Sequence, residues 1–438
     1  MGRPAANGSV VPAGCPMRLF GVLLLLAGFV CAPVFPAVPG PMRPNVVFIL
    51  ADDLGWSDIG YHQSDIRTPE LDRLASEGVR LETHCASPVC SPSRAALLTG
   101  RYPCRLDLFD ALPPETEWSL PAGSTTLADV LHTSGYETAL VGKWHLGHVQ
   151  PEDRPTRHGF EHQYGGWDNP GSYSNRQNSA GQLDWHRDDG PAVFEPGYLT
   201  ELQGDEAVRR ITQRDVSRPL FLYLAFNAPH QPLEAPERYV SQYPELTGDR
   251  RTYAAMVSCL DEQVGRVRAA LAAAGMSKNT VIVFQSDNGG NLSFGGRNAP
   301  LRGGKHTPYE GGTRVPAFAW CPGRWKPRVT TELTHTADWL PTLSTLAGAA
   351  VPAGIDGRDL AEVLDGGASP HPDGVLEAEA EKYTAYRDNR FKVVRTAGKS
   401  GGWKLFDLDV DELQDVENTH PDVFRRLRHR ATVITGTK

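Results

Sequence analysis

The chain has 438 residues and a formal net charge of −8, long enough for one large domain and a smaller companion. Its apolar and charged fractions, 40% and 22%, exclude a disordered or fibrous chain. The acidic balance gives no support to nucleic-acid binding, which needs a basic surface, but leaves room for a local basic pocket that takes an anionic substrate.

Arg18 precedes the apolar run Leu19–Val30, and small residues and prolines follow. This reads as a secretory signal peptide within residues 1–40, too short for a comfortable membrane span. No second long apolar stretch follows, so no membrane association is expected after cleavage. The run Asn45–Leu50 has the character of a buried strand and ends at Asp52 and Asp53. Thr68–Gly78 reads as cap, first-turn proline, helix and terminal glycine. At Cys90-Ser91-Pro92-Ser93-Arg94 a loop opens into a helix that Gly100 ends. Free N–H groups at that helix mouth, with Arg94 one turn in, suit an oxyanion.

Further on, Thr126–Leu131 is helical and Thr138–Val141 is a strand followed by Lys143 and His145. The polar, aromatic and glycine-rich stretch 160–194 has the make-up of a substrate loop, with Trp167, Asp168, Asn169 and Tyr173 among its members. Leu220–Phe226 is a third strand, followed by Asn227 and His230. A helix covers Tyr253–Leu271, and a fourth strand, Val281–Phe284, leads to Asp287 and Asn288. Lys305 follows in a glycine-rich turn. Gly366–Pro372 is linker-like, Tyr383–Arg387, Phe391–Arg395 and Trp403–Leu408 are antiparallel strands, and a helix begins at Pro421. The pattern gives an α/β fold with a large, mixed and mostly parallel sheet flanked by helices, and a small C-terminal α+β subdomain carrying an antiparallel sheet. The boundaries fall at 42–365 and 373–438. In such sheets ligands bind beyond the carboxyl ends of the strands, where all four runs deliver polar residues.

Asp52, Asp53, Asp287 and Asn288 offer hard oxygen ligands suited to Ca²⁺ or Mg²⁺. No His-Glu-x-x-His run and no paired Cys-x-x-Cys occur, so zinc is not indicated. Of the seven cysteines, five follow the signal, which is no dense disulfide framework; a Cys85–Cys104 pair is one weakly supported option.

The stretch Pro88–Arg94, with Leu98–Pro103 behind it, resembles the signature of the type I sulfatases, and closest to it are arylsulfatases acting on sulfated N-acetylgalactosamine, such as the arylsulfatase B type. Gly142–Gly147, the surroundings of His230, Pro300–Lys305 with Glu310–Gly312, Leu50–Trp56, Ser286–Gly290 and Thr336–Thr342 resemble further family segments, and the resemblance spans roughly residues 44–345. It implies an alkaline-phosphatase-like fold and conversion of Cys90 to formylglycine by a formylglycine-generating enzyme. It implies one Ca²⁺ held by Asp52, Asp53, Asp287, Asn288 and an oxygen of the modified Cys90. It assigns Cys90, Arg94, Lys143, His145, His230 and Lys305 to catalysis of sulfate ester hydrolysis. In that scheme the aldehyde hydrate attacks sulfur with Asp287 as base, His230 or Lys305 protonates the leaving alcohol, and His145 then releases sulfate.

The expected substrate is a sulfated carbohydrate or an aryl sulfate. Relative to lysosomal members the chain is short and poor in cysteine, which favours a periplasmic or extracellular enzyme. Two other readings stand beside this one: a phosphonate or phosphodiester hydrolase of the same superfamily, and a non-catalytic exported sugar-binding protein whose Cys90 stays a thiol.

Overall fold

The computed structural model of the protein describes residues 43–380, 382–397 and 401–436, and residues 42–438 form one compact unit. The signal peptide expected within residues 1–40 lies outside the described residues. Nine strands make the main sheet: β1 (Asn45–Ala51), β2 (Val79–Leu81), β3 (Glu137–Gly142), β4 (His162–Gly165), β5 (His186–Arg187), β6 (Leu220–Ala225), β7 (Thr280–Ser286), β8 (Ala317–Trp320) and β9 (Arg328–Thr330). Their order is β9-β2-β8-β7-β1-β6-β3-β4-β5. The central strands β7, β1, β6, β3 and β4 pair in parallel, whereas β8 runs antiparallel to β7 and to β2, and β5 runs antiparallel to β4. The sheet is thus mixed and mostly parallel, as the alternation of apolar runs and helices implies.

Strand β1 shows why. All seven of its residues are buried, as a parallel strand covered on both faces requires. Val47, Ile49 and Ala51 face one core with α1 (Pro69–Glu77), α4 (Leu199–Gln213) and α5 (Gly248–Ala273). Val46, Phe48 and Leu50 face the other, with α2 (Cys90–Thr99), α3 (Leu127–Thr133) and α7 (Trp339–Leu346). This is the two-residue period of a strand with a hydrophobic layer on each side. Burying each large side chain fully contributes about 1.5–3 kcal/mol. Phe48 meets Tyr223 and Trp339 edge-on, with ring centroids 6.1 and 6.0 Å apart.

Helix caps follow the sequence in part. Thr126 caps α3 in a reciprocal capping box with Asp129. Thr68 precedes α1 without capping it through its side chain. Its hydroxyl is engaged with Gly60 N–H and Asp72. The Asp261 carboxylate, from α5, instead accepts from Leu71 N–H at 2.8 Å and Glu70 N–H at 3.1 Å. A tertiary partner has replaced the local one.

The C-terminal sheet has four antiparallel strands, β10 (Val375–Ala380), β11 (Tyr383–Arg387), β12 (Phe391–Thr396) and β13 (Gly402–Asp407). The sequence reading has three of them and lacks β10. The helix expected from Pro421 is α8 (Pro421–Thr435), and it packs on this sheet through Phe424, Leu427 and Ala431. The linker-like 366–372 segment lies against the large sheet's helices, with His371 Nε2 2.9 Å from the buried Asp338 carboxylate. Cys85, Cys90, Cys259 and Cys321 are free thiols, so the Cys85–Cys104 pair does not form.

Candidate active site

Strand register brings the polar strand ends together. Ala51 pairs with Ser286, Leu50 with Ala225, and Gly142 with Ala225. Asp52, Asp287 and Lys143 therefore leave β1, β7 and β3 at one level, with β6 between β1 and β3. Backbone bonds lock them there: Asp287 N–H donates to Ala51 O at 2.9 Å, Lys143 N–H to Ala225 O at 2.9 Å, and Asp52 N–H to Ala228 O at 3.1 Å. Glycine is required at 142, where φ is +115° and a Cβ would lie 1.9 Å from Ala225 O.

Arg94 rises from α2 beneath this edge. Its guanidinium donates to Asp287 Oδ2 at 2.8 and 3.2 Å, to Asp52 Oδ2 at 3.2 Å and to the Lys143 carbonyl at 3.1 Å. Lys143 Nζ donates to Asp52 Oδ2 at 2.5 Å and to Asn169 Oδ1 at 2.5 Å. Lys305 Nζ sits 2.8 Å from the Asp53 carboxylate, and His230 Nε2 3.9 Å from Asp53 Oδ2. Asn288 Nδ2 donates to Asp53 Oδ1 at 2.7 Å. Three carboxylates (Asp52, Asp53, Asp287) thus face three permanent cations (Arg94, Lys143, Lys305) in a buried cluster. Such a cluster holds together only because each charge is paired and hydrogen-bonded.

Two oxygens are left over. Asp52 Oδ1 and Asn288 Oδ1 are buried with no hydrogen-bond partner. Ligand atoms of Asp52, Asp53 and His230 lie within 4.8 Å of one another, as a metal ion requires. Buried, unpaired oxygen acceptors beside carboxylates are costly without a cation and suited to a hard one. The donor set therefore fits a divalent metal, with Asp52, Asp53 and Asn288 offering the oxygens. Asp287 lies beside them, with Oδ2 taken by Arg94 and Oδ1 accepting from Asp53 N–H at 3.2 Å.

The electrostatics follow from burial and from these neighbours. Burial alone would raise the Asp52 carboxyl, but Lys143, His230, Arg94 and Lys305 outweigh it and hold the group well below the usual carboxylate range. Burial and the adjacent Asp52 push Asp287 up to about 7, against the pull of Arg94. Burial, then Lys305, lowers His230 to about 4. Burial, then Lys143, takes His145 well below its ordinary value. Both rings are neutral near pH 7. His145 Nε2 donates to Leu112 O at 2.9 Å, so its Nδ1 accepts from the Ser91 hydroxyl at 3.0 Å. His230 Nδ1 donates to Gln231 O at 2.6 Å, leaving Nε2 as the nitrogen turned to the cluster. Burial raises the Cys90 thiol despite Lys143 and Lys305. As a plain thiol it is therefore a poor nucleophile at neutral pH.

Cys90, only 1% exposed, is the first residue of α2 and lies at the floor of a cleft of about 450 Å³ with His230, Lys305 and Asn169 on its walls. Of the residues named from the sequence, Asp52, Asp53, Asp287, Asn288, Arg94, Lys143 and Lys305 are bonded into this cluster, His230 stands 3.9 Å from Asp53, Cys90 shares the cleft with His230 and Lys305, and His145 is held to α2 through Ser91. Two more belong there. Asn169, read from the sequence only as part of a substrate loop, accepts from Lys143 Nζ through Oδ1 and places its amide nitrogen 3.2 Å from His145 Nε2. Ser91, part of the cysteine motif but given no role, bridges Cys90's helix to His145. An asparagine in a loop and a serine next to a cysteine carry no signal of their own; only the Gly-Lys-Trp-His spacing hints that something must hold both basic side chains.

The profile of the sulfatase family matches residues 44–349. The chain is 40% identical to Arylsulfatase J of Mus musculus, over 76% of this chain and 58% of that protein. It is 37% identical to N-acetylgalactosamine-6-sulfatase of Canis lupus familiaris, over 76% of this chain and 68% of that one. The chain thus spans less than two thirds of the length of Arylsulfatase J. Among solved structures, that of Ps i-CgsB in complex with k-i-k-neocarrahexaose superposes with a TM-score of 0.84 at 32% identity, covering 90% of this chain and 93% of that one. With the family profile covering more than half of its length, and with relatives of this identity, the chain belongs to the sulfatase family.

Proposed function

We propose that this protein is an exported hydrolase of sulfate esters on carbohydrates, working through a formylglycine made from Cys90. The observation that carries the reading is the convergence at one cleft floor of Cys90, three fixed cations and two unpartnered buried oxygens. The sugar preference is supported by two relatives: one is named an N-acetylgalactosamine-6-sulfatase, and one was solved with a neocarrahexaose bound. Cys90 is buried in the folded chain, so a formylglycine-generating enzyme would have to reach it before folding. We assign residues 1–40 to the signal, 42–365 to the catalytic domain and 373–438 to the C-terminal subdomain.

Formylglycine would supply, on hydration, an oxygen nucleophile with a second hydroxyl through which sulfate can leave, which a thiol lacks. Ca²⁺, held by Asp52, Asp53, Asn288 and Asp287, would supply Lewis acidity at the sulfate oxygens. The chain's own residues do the rest. Lys143 and Lys305, immobilised by Asp52 and Asp53, offset the charge that grows on the sulfate oxygens, and need no reorganisation to do so. Arg94, clamped by Asp52 and Asp287, fixes the first turn of α2 and hence residue 90. Asp287, its carboxyl raised to about 7, is basic enough to accept a proton at neutral pH. The neutral His230 ring has its one N–H committed to Gln231 O, so its Nε2 is an acceptor, and Lys305 is the group left to protonate the leaving alcohol. His145, neutral and with Nδ1 facing Ser91, takes up the proton released when sulfate departs.

The test has two parts. Mass spectrometry of the peptide spanning Cys90, from protein made beside a formylglycine-generating enzyme, should show loss of H₂S and gain of O. The same protein should hydrolyse 4-nitrophenyl sulfate much faster than bis(4-nitrophenyl) phosphate. The opposite preference would assign it to phosphodiesters, and an unmodified, inactive Cys90 would leave a sugar-binding protein.

A further inference from the structure

The cleft has a gradient from floor to rim. At the floor Cys90, His230 and Lys305 are 1%, 5% and 9% exposed. At the rim stand Phe294, 37% exposed, and His306, also exposed, neither of which takes part in the chemistry above.

His306 holds a left-handed backbone, φ +65°, in a segment where glycine would be the easy residue. Its N–H donates to Pro88 O at 2.9 Å, two residues ahead of Cys90. The backbone at 306 is therefore tied to the segment that leads into Cys90, and its left-handed conformation is maintained against local preference. Phe294 ends a one-turn helix, Leu292–Phe294, that Asn291 caps and Gly295 closes. That turn is seated on the Lys305 segment: Lys305 N–H donates to Gly290 O at 3.2 Å, and a Cβ on Gly304 would lie 3.1 Å from Leu292 Cγ. Pro170, Gly171 and Ser179 also line the cleft, and their side chains are small. Phe294 and His306 are thus the two exposed rings of the lining, beside residues with small side chains.

A sugar ring has an apolar C–H face that stacks on an aromatic plane and hydroxyls at its edge that bond to an imidazole. A cleft of about 450 Å³ holds more than one such ring. Resting on the sulfatase reading above, we propose that Phe294 and His306 form the binding wall for the sugar next to the sulfated one, and so select sulfated oligosaccharides over monosaccharide and aryl sulfates. Phe294 supplies the stacking face, and His306 supplies a hydrogen bond to a hydroxyl.

The experiment uses the full chain carrying Phe294→Ala, Phe294→Tyr or His306→Gly. The glycine variant suits the φ at 306 and should fold at least as well as the parent, which a thermal midpoint verifies. Binding of chondroitin sulfate and ι-carrageenan hexasaccharides is measured calorimetrically on Cys90→Ser protein, where turnover plays no part. Turnover of 4-nitrophenyl sulfate is measured on the modified enzyme. Expected are a loss of about tenfold or more in affinity for the better hexasaccharide with Phe294→Ala and with His306→Gly, retention with Phe294→Tyr, and aryl sulfate kcat/KM within about twofold of the parent. Parent-like hexasaccharide affinity in both truncated variants overturns the proposal, as does equal loss on the aryl ester, or a parent that binds neither hexasaccharide. If no sulfate ester is turned over by the parent while both binding losses appear, the sulfatase reading falls and the sugar wall stands.

Discussion

Two buried clusters of charge lie near one short helix, α6 (Glu310–Thr313), and they differ in what their unbonded oxygens face. On the active-site side, carboxylates and cations match one for one, yet Asp52 Oδ1 and Asn288 Oδ1 have no partner and a cleft opens above them. Under the C-terminal sheet, Glu310, Glu377 and Glu412 surround Lys392 Nζ at 3.0, 2.8 and 3.5 Å, and Arg387 adds a 2.8 Å bond to Glu310. Here the acids outnumber the two bases that hold them, and each acid is turned towards Lys392. The first arrangement keeps acceptors in reserve for something that arrives. The second spends its charges on fastening β10, β11 and β12 to the segment that carries Lys305. Burying charge is expensive in both places, so the lesson is in what the oxygens without a hydrogen-bond donor face: Glu377 Oε2 and Glu412 Oε1 face Lys392 at 2.8 and 3.5 Å, whereas no cation among the described residues is ion-paired to Asp52 Oδ1 or Asn288 Oδ1.

The comparison can be broken most sharply at Cys90. Cys90→Ala should lower turnover of 4-nitrophenyl sulfate by at least about 10³-fold and leave the thermal midpoint nearly unchanged; an active alanine variant would refute the nucleophile. Lys392→Met tests the joint. It strands the buried carboxyl groups of Glu377 and Glu412, while Glu310 keeps Arg387, and denaturant unfolding should show a loss of about 3–5 kcal/mol. A silent Lys392→Met would show that the second cluster fastens nothing. The spare oxygens should reveal themselves as calcium-dependent stability. At about 100-fold the dissociation constant, Ca²⁺ adds about 2.7 kcal/mol, which chelator removes and Asp52→Ala abolishes. Calorimetry that shows no shift in either protein would remove the metal from the site.

Two smaller effects sharpen the contrast. Asn169→Ala deletes the hydrogen bond that holds Lys143 and the contact with His145, and should cost about 1.5–3 kcal/mol in kcat/KM, with stability preserved. If KM alone moved, the residue would serve binding and not the basic pair. Glu412 gives the joint a pH signature. Burial, then Glu310 against the pull of Lys392, raises its carboxyl from 4.5 to about 7. The folded state therefore holds a proton that the unfolded state releases. Its contribution is complete below pH 4.5 and fades as pH rises through about 7, by at most about 1.4 kcal/mol per pH unit. Glu412→Gln should flatten the midpoint-against-pH curve in that window, and an unaltered slope would place the titration elsewhere.

Much of this was legible in advance because strands and helices leave periodic marks. The run Asn45–Leu50 identified β1 to within a residue, and Cys90–Gly100 carried both ends of α2. Strand β10 was missed because Val375–Ala380 carries two glutamates, of which Glu377 is buried against Lys392. Its polarity makes sense only once the partner strand is present. The cap of α1 was assigned to Thr68 for the same reason: a neighbour in sequence was visible, whereas Asp261, nearly two hundred residues away, was not.

Composition, spacing and motif determined which side chains this chain brings to chemistry and which strand each one follows, since those are local properties of the polypeptide. Tertiary structure alone decided that Asn169 and Ser91 hold the two basic residues in place. It also decided that Phe294 and His306 share a rim, and that two oxygens remain without donors. Those facts depend on distances between segments far apart along the chain, and such distances come into being only when parallel strands fall into register and a common core closes around them.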